Sequence, residues 1–104
     1  MALTRLQIQE RLETILGVGG HVYFQPPTNT RIQYPAIIYR LEDIDQRFAD
    51  DKLYNKDRAY LVTLVHPDPD NEIIERLLWE FPKIRFDRTY DSDNLHHYVY
   101  VLYE

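Results

Sequence analysis

The sequence predicts an α+β domain: a largely antiparallel four- to five-stranded sheet with two helices, in the order α-β-β-β-α-β-β. Three observations predict it. Apolar residues recur at helical spacing in two separate stretches, near the N-terminus and at residues 73–81. Between and after them lie runs of strand length rich in Val, Ile, Leu, Tyr and Thr. The connections are mostly short, which favours hairpins and antiparallel pairing. A length of 104 residues fits a single domain over 1–104.

Thr4 followed by Gln7 is a capping box, and Leu3 ahead of it is placed to staple the helix start. Ile8, Leu12, Ile15 and Leu16 make the stripe of a helix over Thr4–Leu16. Gly17, Gly19 and Gly20 end it, because glycine readily takes the left-handed stop. Val22, Tyr23 and Phe24 predict a short strand over His21–Gln25, and Pro26-Pro27-Thr28-Asn29-Thr30 a loop. Ala36 to Leu41 is a second strand, with Pro35 ahead of it rather than at its centre.

Residues 42–57 read as a projecting charged loop. Nine of these sixteen residues are charged, six acidic and three basic. The alternative is a projecting hairpin that extends the flanking strands. Arg58 to Val65 is a near-continuous apolar run, a buried strand. Pro67 and Pro69 stop its ladder, since neither has an N–H. Asp68 is placed to cap a helix with Pro69 at its first position. Ile73, Ile74, Leu77, Leu78 and Phe81 form that helix's stripe, and Pro82 closes it. Ile84 to Tyr90 and Leu95 to Tyr103 are strands joined by a turn at Asp91-Ser92-Asp93-Asn94.

Composition excludes several functions. Twelve basic against seventeen acidic residues leave a net charge of −5. So acidic a chain is ill suited to gripping duplex nucleic acid, where phosphate neutralisation dominates affinity. With no cysteine there is no disulfide framework, thiolate metal site or thiol nucleophile, which fits a reducing compartment. No apolar run approaches the ~20 residues that span a bilayer. The chain reads as a protein used in a cytoplasm or within a large assembly.

Both faces of the sheet are apolar in the sequence. In the last strand Leu95, His97, Val99, Val101 and Tyr103 alternate with His96, Tyr98, Tyr100 and Leu102. An antiparallel sheet with one wet face normally carries polar residues there. Two arrangements satisfy this pattern. One helix covers each face, or both helices share one face and a partner covers the other. The nine tyrosines suit the second, because the ring buries area while its hydroxyl stays hydrated.

Chemistry is thinly represented. His96 and His97 are adjacent on a strand and point to opposite faces, so they cannot share a metal. His66, Asp68 and Asp70 are explained by a proline turn and a helix cap. Asp91-Ser92-Asp93-Asn94 lacks the glycine and distal glutamate of a calcium loop. Gly17-Val18-Gly19-Gly20 follows a helix rather than a strand, the wrong context for a phosphate loop. Asp43, Asp45, Asp50 and Asp51 have no apolar pocket to raise a carboxylate pKa. The expectation is a protein that is not an enzyme, with no cofactor and no metal.

Taken together, the helix at Thr4–Leu16, the strand opening Tyr34-Pro35-Ala36-Ile37-Ile38-Tyr39, the acidic projecting segment, the strand–Pro–Asp–helix unit over Tyr60–Phe81 and the terminal hairpin resemble a known family. The chain looks like the tail-terminator, or tail-completion, proteins of long-tailed bacteriophages, a group that includes minor tail and head–tail joining proteins. The resemblance spans nearly the whole length and lies in order and size. It implies a virion protein of the tail, made in the host cytoplasm. It implies a homo-oligomeric, typically hexameric ring that caps the tail tube and offers a surface to the head–tail connector protein. Its partners would be itself and the tail-tube protein, with no membrane. DNA would pass its lumen without specific binding. On this reading Tyr39, Tyr98, Tyr100 and Leu102 pack between subunits, and Arg47, Asp50, Asp51 and Tyr54 make the contacts of the projecting segment. The alternatives are a head–tail connector or minor capsid component, and a small cellular protein-interaction module.

Overall fold

Two helices lie side by side on one face of a five-stranded sheet. The computed structural model describes residues 3–49 and 52–104, and between residues 45 and 57 it describes backbone alone. The elements are α1 (Arg5–Leu16), β1 (His21–Phe24), β2 (Ala36–Ala49), β3 (Lys52–His66), α2 (Ile73–Glu80), β4 (Ile84–Ser92) and β5 (Leu95–Tyr103). The strand order is β1-β2-β3-β5-β4. Among the described strands only the β1–β2 pair is parallel, so the α+β fold has a mixed, mostly antiparallel sheet.

The first helix starts as its sequence dictates. Thr4 Oγ1 accepts from the Gln7 N–H, and Gln7 Oε1 accepts from the Thr4 N–H at 2.9 Å. Two orphan donors are thereby satisfied, an arrangement that contributes about 1 kcal/mol. Gly17 stops the helix at φ 80°, and its N–H returns to the Glu13 carbonyl. A Cβ on Gly20 would come within 2.3 Å of the Leu16 side chain, so any larger residue there forces Leu16 to shift.

α2 is shorter than its sequence predicts. Asp68 does not cap it. Its Oδ1 accepts from the Asp70 N–H in a local turn, while Asn71 Oδ1 accepts from the Ile74 N–H at 3.3 Å. Short Asp and Asn side chains bond the backbone a few residues ahead and so compete with helix propagation. The helix therefore begins at Ile73, with Glu72 at its N-cap. Its buried stripe centres on Leu77, fully buried, and continues into Phe81. Leu78, a predicted stripe member, lies on the flank and is 39% exposed.

Register places every strand residue on a face, because cross-strand partners share one. Ile37, Leu64 and Tyr98 form one row of the helix-covered face, and Tyr39, Val62 and Tyr100 the next. Tyr60 and Leu102 continue it. These residues and Ile8, Leu12, Ile15, Leu77 and Phe81 make one core. Arg11 of α1 and Glu80 of α2 lie 4.0 Å apart, both partly exposed, an ion pair of small worth.

Residues 42–49 and 52–57 belong to strands rather than to a loop. β2 and β3 continue as one ladder out to the Ala49–Lys52 pair, with register shifts between Leu41 and Asp43 and between Arg47 and Phe48. β1 pairs with β2 only as far as Tyr39, and β5 pairs with β3 only from Ala59 onward. The ladder therefore runs beyond its neighbours as a two-stranded arm, the hairpin alternative. Charge misleads here because a strand outside the core has no apolar face to declare in sequence. The β4–β5 connection is also tighter than the predicted four-residue turn. Asp91 and Ser92 stay in the ladder, and Asp93 and Asn94 alone turn the chain, at φ 54° and 64°. Both values suit a two-residue hairpin turn whose twist matches the strands.

Candidate subunit interface

Among the described residues no helix lies on the second face of the sheet. Arg40, Leu61, Val101 and Arg85 form one row across it, two apolar residues between two arginines. Tyr23, Ile38, Thr63, Val99 and Arg88 form the next. A third runs His21, Ala36, Val65, His97 and Tyr90, where the Tyr90 and His97 rings stack at 4.6 Å. Over β1 the face is partly roofed by the return segment to β2, since the Gln33 N–H donates to the Tyr23 hydroxyl at 3.2 Å. Ala36, Val65 and Val99 on this face are buried within the subunit, Ile38, Leu61 and Val101 are half-buried, and Tyr90 and Tyr103 are 45% and 39% exposed. The middle of this face is apolar, and the described arginines stand at its margins.

The four residues expected between subunits lie on the other face. Tyr39, Tyr98, Tyr100 and Leu102 are all buried beneath α1 and α2, and their assignment to a subunit interface is corrected accordingly. Strand alternation shows that two apolar faces exist but not which one the helices take. Here they take the face with the larger side chains and satisfy the hydroxyls from within. Tyr39 bonds Gln9, and Tyr100 donates to the Ile74 carbonyl at 2.8 Å. Tyr98 reaches the Pro69 carbonyl at 3.5 Å. Of the residues expected to make the arm's contacts, Asp50 and Asp51 lie outside the described residues, as do the side chains of Arg47 and Tyr54.

Burial pushes the Tyr100 phenol well above its ordinary value of 10; burial raises that of Tyr39 too, with Arg5 opposing it. Tyr98 is raised by burial and by Asp91, Asp68 and Asp70. The unfolded chain releases these protons near pH 10, whereas the native state holds them to higher pH. Above that value the unfolded state binds fewer protons, so stability falls as pH rises. Replacing Tyr100 by Phe should cost about 0.5–1.5 kcal/mol at neutral pH and flatten the fall above pH 10. Urea denaturation across that range measures both, and an unchanged alkaline slope would count against the assignment to Tyr100.

The remaining polar candidates make local contacts. His66 Nδ1 accepts from the Asp68 N–H at 3.0 Å, closing the turn into α2. Burial lowers the His66 pKa, partly offset by Asp68. His96 and His97 do point to opposite faces. His96 meets Asp91 at 2.6 Å, and His97 stacks on Tyr90. Among the described residues no group of three or more His, Cys, Asp or Glu side chains is placed to hold a metal ion. No described helix is long and apolar enough to cross a membrane.

The site residues that sequence reasoning passed over are Arg40, Arg85 and Arg88. Leu61 and Val101 were visible as alternating apolar residues, but the arginines flank them only once the register is known. The chain matches no protein-family model and no curated protein sequence.

Proposed function

We propose that this chain is a structural, non-enzymatic virion protein that ends a phage tail tube by assembling into a ring at its tip. One observation carries the reading: both helices cover the same face, leaving the other without a helix and with Ile38, Leu61 and Val101 only half-buried and Tyr90 and Tyr103 exposed. A protomer of this design has surface to bury against neighbours. The resemblance in element order and size supports the same reading. A ring seated on the last tube subunits leaves no free end for further addition, and its far side meets the head–tail connector. The β2–β3 arm extends past the sheet and is the element suited to reach the tube or the lumen. A net charge of −5 suits a lumen through which DNA passes without sticking.

The test is direct. The purified protein is added to polymerising tail-tube protein, and tube length is followed by electron microscopy with oligomer mass measured in parallel. The expected result is a closed oligomer and tubes that stop growing. Tubes that elongate unchanged beside a monomeric protein would sink the proposal.

A further inference from the structure

We infer that Gln25 and Asp43 guard the outer edge of β2, each holding a backbone N–H on which a strand of a second copy would otherwise pair. The device is independent of the function proposed above.

Among the described strands, β1 is the partner on this side of β2, and it pairs no further than Phe24 with Tyr39. β2 itself runs on to Ala49. A strand that outruns its neighbour presents a row of unpaired N–H and C=O groups, a template for another chain. Successive residues turn these groups alternately to the two sides of a strand. Tyr39 turns toward β1, since its carbonyl accepts from the Gln25 N–H at 2.9 Å. Leu41 therefore turns the same way, to the side where β1 has ended. The register shift between Leu41 and Asp43 inserts one residue. The next N–H on that side is accordingly that of Ile44, not of Asp43.

Both of these N–H groups are taken by side chains. Gln25 Oε1 accepts from the Leu41 N–H at 3.1 Å, and Asp43 Oδ1 accepts from the Ile44 N–H at 2.8 Å. In a continuing parallel ladder the residue that donates to Tyr39 would accept from Leu41 through its own carbonyl. Here the side-chain amide of that same residue does so. Gln25 sits at φ 44°, in the left-handed region that residues other than glycine rarely enter. Pro26 and Pro27 follow, and neither has an N–H with which to resume the ladder. The strand thus ends with its last side chain laid over the next step of β2.

The neighbouring edges at this end are closed as well. His21 donates to the Pro35 carbonyl and so faces β2, which turns Val22 outward. The Val22 carbonyl accepts from Gln9 Nε2 of α1 at 3.3 Å. Across the ladder, Arg58 and Glu104 exchange both backbone bonds, at 2.7 and 2.8 Å. Leu41 and Ile44 are therefore the step at which the β2 edge relies on Gln25 and Asp43. A second copy is the occupant they exclude. Two such edges related by a two-fold axis run antiparallel, so the edge matches itself.

Two double variants test the device. Q25A/D43A removes both acceptors, whereas Q25E/D43N keeps an acceptor oxygen at each position and leaves the net charge unchanged. Both positions are exposed, and circular dichroism verifies the fold. Amide hydrogen exchange at Leu41 and Ile44 is followed by NMR over a dilution series, with sedimentation in parallel. In the wild type and in Q25E/D43N both amides should be protected at every concentration. In Q25A/D43A they should exchange about tenfold faster in dilute solution. They should regain protection as concentration rises, while the variant associates about tenfold more tightly than the wild type. Amides of Q25A/D43A that exchange as in the wild type show that the side chains do not hold them, and overturn the inference. So does fast exchange without added association, or association of Q25E/D43N like that of Q25A/D43A. If Q25A/D43A does not fold, D43A and Q25A are measured singly, each read at its own amide by the same criteria.

Discussion

Leu77→Ala lowers the unfolding free energy by about 2–5 kcal/mol in chemical denaturation. Leu77 is fully buried at the centre of α2, in the same core as Leu12, Tyr100 and Phe81. α2 has eight residues, too few to persist without packing. Truncation removes the transfer energy of the lost carbons and leaves a cavity between two helices and the sheet, which relaxes only in part. Leu78→Ala is the control. Leu78 is 39% exposed, so its truncation should cost clearly less. Equal losses at the two positions would mean that the stripe is centred elsewhere. Both proteins are compared at one concentration, because assembly raises apparent stability by mass action.

Replacing residues 45–57 by an Asn-Gly turn between Ile44 and Arg58, which face each other in the ladder, should leave the domain folded and, on the proposed terminator reading, abolish the block of tube growth. The arm runs past β1 and β5, so its removal breaks none of the ladder pairs that those strands make with the sheet. A two-residue Asn-Gly connection matches strand twist. The expected change in stability is within about 1 kcal/mol, since shortening a connection alters closure entropy only slowly. If the arm reaches the tube, the shortened protein still forms its oligomer but tubes grow past it. A shortened protein that stops tubes as well as the full chain would remove the arm from the mechanism. One that fails to fold would show that the arm belongs to the core.

The elements were legible because each has a local physical signature. Thr4 and Gln7 satisfy one another's backbone donors whatever surrounds them, and α1 starts where they stand. Gly17 stops it for reasons internal to three residues. The errors share a different origin. Asp68 can cap, but in the turn after His66 its side chain bonds the Asp70 N–H instead, and the helix starts later with Glu72 at its N-cap. The charged stretch after Leu41 hid a ladder, because strand pairing is settled between two segments and neither alone displays it. The tyrosines were read as interface material, since a tyrosine beneath a helix and one beneath another subunit look alike in sequence.

The chain alone determined that two apolar sheet faces exist and that only two short helices are available to cover them. Alternation, length and composition suffice for that, because they depend on neighbours along the backbone. Which face the helices take was decided in three dimensions. Gln9 and the Ile74 carbonyl meet the Tyr39 and Tyr100 hydroxyls across 30 and 26 residues of sequence. Those contacts turn the tyrosines inward and leave Leu61 and Val101, bordered by arginines from β2 and β4, on the face without a helix.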